Sequence, residues 1–144
     1  MNEVLLSFQD ATTKVFFAVT QTQGLGNIKG DLTFDNKDID IGDGFDWESG
    51  VVTVKNSGVY RFTFSGTSGF GLYENTVVTV SKNGNPIGTP IIADFNNEGD
   101  GNNISCVWMM QLNQGDTVEL QSANHLWAHK GHQSTFTGEL IYKQ

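Results

Sequence analysis

The stretch NISCVWMMQL, residues 103–112, restricts the fold more than any other part of the chain. One alternating set, Ile104, Cys106, Trp108, Met110 and Leu112, is wholly apolar. The other set, Ser105, Val107, Met109 and Gln111, would face water in a simple sandwich strand, yet two of its four members are large hydrophobes. The pattern recurs. In KVFFAVT, Val15, Phe17 and Val19 form one face, and Phe16 and Ala18 lie on the other. In STFTGELIY, Phe136, Leu140 and Tyr142 share a face, with Ile141 opposite. NTVVTVSK and TVELQS alternate more cleanly between apolar and polar. One sheet therefore reads as covered on both sides and its partner on one. Covering both sides of an antiparallel sheet takes more than the opposing sheet of its own domain. The competing reading is that single hydrophobes are tolerated at the surface. Three strands showing the pattern together favour a self-association face.

Other strand-like runs are spaced along the chain: LTF (32–34), DIDIG (38–42), VVTV (51–54), VYRFTFSG (59–66) and PIIADF (90–95). Between them lie turn signals: the Gly-rich QGLGNIKG, Asn83-Gly84 for a hairpin, and Gly115-Asp116 in QLNQGDTVEL for another. Many short strands without an amphipathic helix give an all-β antiparallel sandwich or barrel. With 144 residues, no linker and no repeat, the chain holds one domain over 14–144 after an N-terminal extension over 1–13.

Charge narrows the partners. Sixteen acids against eight bases give a net charge of −8, the wrong sign for nonspecific binding to nucleic acid or an anionic membrane. No segment approaches the ~20 apolar residues of a membrane span, so membrane insertion is not expected. A single cysteine, Cys106, rules out an intrachain disulfide framework, and its apolar strand makes it a buried, inert thiol. The start, MNEVLLSFQD, lacks a basic n-region and is not a signal peptide. That leaves a cytosolic chain or one whose secretion signal was removed.

The central segment LTFDNKDIDIGDGFDWESGVVTVKNSGVYRFTFSG resembles the signature of the C1q domain family. The matching positions are Phe34, Asp40, Phe45, Val52, Gly58, Tyr60, Phe62 and Phe64, with Val52 standing where the family usually has Phe. VFFAVTQT, VSKNGNPI, LNQGDTVEL and STFTGELIY resemble further strands and hairpins of that family, so the likeness spans residues 14–142. The resemblance implies a ten-stranded jelly roll of the C1q/tumour-necrosis-factor type, assembled as a homotrimer. It implies that Phe16, Ala18, Val107, Met109 and Ile141 face neighbouring protomers, while Trp108, Tyr60, Phe62, Phe64 and Phe136 line the core or its border. It further implies a secreted recognition module for carbohydrate, microbial-surface or protein ligands. The alternative is a signalling ligand recognised by a protein receptor.

Two regions carry candidate chemistry. ANHLWAHKGHQ (123–133) reads as a loop and gathers His125, His129 and His132 with Trp127 and Lys130. Their spacing would suit a zinc triad only if the loop curled, and nothing in its pattern makes the rings converge. As a ligand surface the same residues offer stacking and hydrogen bonds, against the alternative of Trp127 as an apolar plug. The acidic runs DIDIGDGFD, with Asp38, Asp40, Asp43 and Asp46, and ADFNNEGDGNN, with Asp94, Asn96, Asn97, Glu98 and Asp100, offer oxygens for calcium. The resemblance brings Asp94 nearest to a known calcium position of the family. The competing account is solvated turn carboxylates, with Asp40 fixing a backbone turn. No Gly-x-Ser-x-Gly, phosphate loop or His-Glu-x-x-His occurs, so catalysis is not expected.

Overall fold

The structure, a computed structural model, describes residues 13–21, 26–48, 50–68, 76–93, 103–128 and 134–144. They form eleven strands: β1 (Phe16–Gln21), β2 (Gly26–Asp31), β3 (Asn36–Ile41), β4 (Phe45–Glu48), β5 (Val51–Val54), β6 (Gly58–Ser68), β7 (Thr76–Lys82), β8 (Asn85–Ala93), β9 (Asn103–Leu112), β10 (Thr117–Ala128) and β11 (Ser134–Lys143). Every pairing among them is antiparallel.

The strands lie in two layers. The first runs β3-β1-β11-β6-β9. In the second, β10 has β7 and then β8 on one edge. Its other edge takes β5 at Thr117–Val118 and β2 from Gln121 onward, with β4 outside β5. Because β2 and β5 share one lane, eleven strands fill ten lanes of a jelly roll. The far end of β10 also pairs with β6, Leu126 opposite Ser68 and Trp127 opposite Thr67, which closes a seam between the layers.

The core between the layers is aromatic. Phe17, Phe45, Tyr60, Phe62, Phe64 and Phe136 are fully buried, with Val52, Leu112 and Leu120. Phe17 meets Phe45 edge-on at 4.5 Å and Phe136 at 5.3 Å, and Phe62 stacks on Phe136 at 5.7 Å. These rings prefer edge-on and offset contacts, so they fix each other's orientation besides excluding water. The buried Tyr60 hydroxyl donates to the Asn56 carbonyl. Burial pushes its pKa up to about 12.

Several expectations are corrected. QGLGNIKG, expected to be a turn, supplies β2, and ANHLWAHKGHQ, expected to be a loop, continues as strand through Ala128. Both segments lack alternation, and the ladder between them supplies the order that the pattern does not show. LTF is not a strand: Leu32 N donates to Leu120 O and Asp35 N to Thr20 O, so these residues cross from one layer to the other. The strand β4 was not anticipated. Asp40 lies within β3, in contact with Lys37, and does not fix a turn.

The two expected hairpins part company. Asn83-Gly84 is one: both residues have positive φ, 52° and 80°, and Lys82 pairs with Asn85. Residues 113–116 join β9 to β10, which belong to different layers, so this turn is a corner of the sandwich. Other segments satisfy its backbone. Gly115 N donates to Val54 O and Gln114 N to the Ser57 hydroxyl. The Asp116 carboxylate accepts from Asn113 N at 2.7 Å and from the Asn83 amide at 2.9 Å.

Candidate functional site

The first layer has a second face, directed away from the core. Phe17 and Val19 of β1 point inward, so Phe16, Ala18 and Thr20 point outward. Ile104, Trp108 and Leu112 are buried and Cys106 and Met110 half-buried, which leaves Ser105, Val107, Met109 and Gln111 outside, all exposed.

Strand register arranges these residues in rows across the sheet. One row reads Ile39, Ala18, Thr137, Thr63, Val107. The next reads Ile41, Phe16, Glu139, Arg61, Met109. A third is polar throughout: Asn36, Thr20, Thr135, Ser65, Ser105. In the two apolar-flanked rows Val107 is 57 % exposed, Met109 58 % and Ile41 52 %. Phe16 is half-buried, and Ala18 is nearly covered. Across the middle, Arg61 Nη2 donates to Glu139 Oε2 at 2.7 Å, and the Thr63 and Thr137 hydroxyls touch.

Ile141 falls at a bulge between Leu140 and Tyr142, beside these rows, and is 44 % exposed. The bulge breaks the alternation read from the sequence. Leu140 packs on the core, but Tyr142 is largely exposed and does not share its face. Sequence reading missed Ile39, Ile41 and the Arg61–Glu139 pair as parts of this surface. The signal was present in IDI, where two isoleucines alternate with an acid, but β3 lies at a sheet edge, where alternation alone does not say which side is wet.

The histidine stretch is placed only by its flanks. His129, Lys130, His132 and Asp94 lie outside the described residues, and for His125 and Trp127 the backbone alone is described. Trp127 pairs with Asn27 on one edge of β10 and Thr67 on the other; His125 falls where the β10–β2 register shifts. Gln21, Ser68, Asn103, Ala128 and Ser134 all end or begin strands at one end of the sandwich. The strands that flank both the histidine and the second acidic stretch therefore meet there.

The carboxylates of the first acidic stretch have partners within the chain. Asp46 and Asp43 close on the Lys55 ammonium at 3.1 and 3.2 Å and raise its pKa above the usual lysine value, Asp46 contributing most. Asp38 accepts from the Thr20 hydroxyl and the Asn36 amide. Among the described residues no three His, Cys, Asp or Glu side chains converge as metal ligands would. Cys106 is half-buried against the core, its thiol directed at the Val107 carbonyl. No helix among the described residues is long and apolar enough to cross a membrane.

The C1q domain family matches residues 15–141, most of the chain. The chain belongs to that family. The globular domain of zebrafish complement 1qA protein superposes with a TM-score of 0.72 at 24 % identity, covering 91 % of this chain and all of that one. Murine APRIL at pH 5.0 superposes with a TM-score of 0.73 at 13 % identity, covering 89 % of this chain and 99 % of that one. At these identities the likeness shows the fold. No curated protein matches. The C1q signature positions have a physical reading here: Phe45, Val52, Tyr60, Phe62 and Phe64 form the core, and Phe34 stacks on Phe136 at 5.7 Å. Val52 is buried, so its smaller side chain is accommodated within the same packing.

Proposed function

We propose that this C1q-family chain is a non-enzymatic, secreted recognition module that works as a homotrimer. Three copies close on the outer face of the β3-β1-β11-β6-β9 layer, and ligand is held at the end of the sandwich. One observation carries the reading: Val107 and Met109 stand exposed on a strand whose other side already fills the core, in rows shared with Phe16, Ile39 and Ile41. Exposed apolar residues gathered on β3, β1 and β9 of one face mark an interaction site. The family supplies the trimer as its occupant, and a trimer multiplies three weak ligand sites into useful avidity.

The ligand class is carbohydrate, microbial surface or protein. His125, Trp127, His129, Lys130 and His132 are the residues proposed to hold it, with Asp94 as the calcium candidate. The test is glycan-array and bacterial-surface binding by the wild type and by Trp127→Ala, His129→Ala and His132→Ala, with and without a calcium chelator. Binding reduced tenfold or more by these substitutions is expected. Binding that survives all of them would remove this end as the site. Binding to one protein receptor and to no glycan would favour the signalling reading. Chelation that leaves binding unchanged would remove calcium.

A further inference from the structure

The outer face is not evenly apolar. Ile39, Ile41 and Phe16 form one flank on β3 and β1, and Val107 and Met109 form another on β9. Between them β11 and β6 carry a polar strip, Thr137 beside Thr63 and Glu139 beside Arg61. At ~4.8 Å per strand, β1 and β9 stand about 14 Å apart across that strip. The two rows with apolar flanks hold one cation and one anion, on a chain whose net charge is −8. Copies that repel each other elsewhere meet no such repulsion here.

We infer that the Arg61–Glu139 pair is what lets the polar strip be buried in self-association, because each charge is already matched within its own chain at 2.7 Å. The inference rests on the homotrimer proposed above. The flanks differ in residue type, so they suit a head-to-tail contact, one copy's β3–β1 flank on the next copy's β9 flank. Such contacts close into a ring when the rotation between copies closes, as the proposed homotrimer requires. In that ring the strip between the flanks faces the axis. In the free chain Arg61 and Glu139 are 45 % and 34 % exposed, and a wet pair of this kind contributes little to stability. Assembly dries it. A dried ion pair with both members present roughly breaks even, but one buried charge without its partner is strongly unfavourable.

The test compares the wild type with Glu139→Leu, Arg61→Met and the double variant by sedimentation across a dilution series. Circular dichroism at the lowest concentration checks the fold. Each single variant is expected to raise the dissociation constant of the assembly about a hundredfold or more with an unchanged β spectrum. The double variant is expected to associate as tightly as the wild type or more so, because no unpaired charge is left to bury. Should Glu139→Leu fail to fold, Glu139→Gln keeps the side-chain shape and asks the same question. Single variants that assemble like the wild type, or a double variant as weak as the singles, would overturn the inference and leave the homotrimer standing. A monomeric wild type would overturn both.

Discussion

Gly138 lies directly under the ring of Phe17, and a Cβ added there would run into that ring. Phe17 has no room to yield, because Phe45 and Phe136 hold it edge-on from two sides. Gly138→Ala is therefore expected to cost about 1–3 kcal/mol by overpacking, read as a lower urea midpoint at unchanged slope. An unmoved midpoint would contradict the packing described. Phe45→Ala works in the opposite sense, opening a cavity among Phe17, Tyr60 and Phe62 at about 3–5 kcal/mol. Tyr60 adds a pH signature. Its phenol is protonated in both states below about pH 10, and above that the unfolded chain releases the proton first, since burial holds the folded group up to about 12. Stability should then fall as pH climbs from about 10 to 12, and Tyr60→Phe should flatten that fall in denaturation midpoints. Phe17, Tyr60, Phe62 and Phe136 were legible in the sequence because each alternates within a strand, whereas Phe45, in the unanticipated β4, was legible only through the resemblance. Gly138 was legible only as part of a resemblance, since nothing local says which ring will lie over it.

At the scale of elements, the corner between β9 and β10 shows where pattern reading stops. The sequence around Gly115-Asp116 resembles any tight hairpin, and only the pairing of the two strands with different neighbours makes it a corner. Asp116 holds that corner to the β7–β8 hairpin through Asn83, with Lys82 at 3.8 Å. The Asn83 amide first, then the Asn113 N–H and Lys82, keep its carboxyl below the ordinary aspartate range. The stability this contributes is present above the ordinary pKa of 3.8 and is lost as pH falls below it. Asp116→Ala should cost about 1–2 kcal/mol near neutrality by freeing two donors, and the penalty should shrink in acid. A penalty independent of pH would argue against the charged corner. The strand β2 was hidden for a related reason: GNIKGD carries one large apolar residue in six, and its order comes from the edge of β10.

For the whole molecule, fold and outer face were both foreshadowed by one irregularity, the second apolar set on β9. The position of the bulge that turns Tyr142 outward was not foreshadowed, because a bulge leaves no trace in a strand's composition. Met109→Lys and Val107→Asp should leave the folding of a single copy intact, since both side chains are more than half exposed in it, and should abolish association. The most direct measurement is sedimentation of the wild-type chain at micromolar concentration. The account predicts one species of three times the 15.8 kDa chain mass, reduced to chain mass by Met109→Lys. A folded wild type that sediments at 15.8 kDa would contradict it.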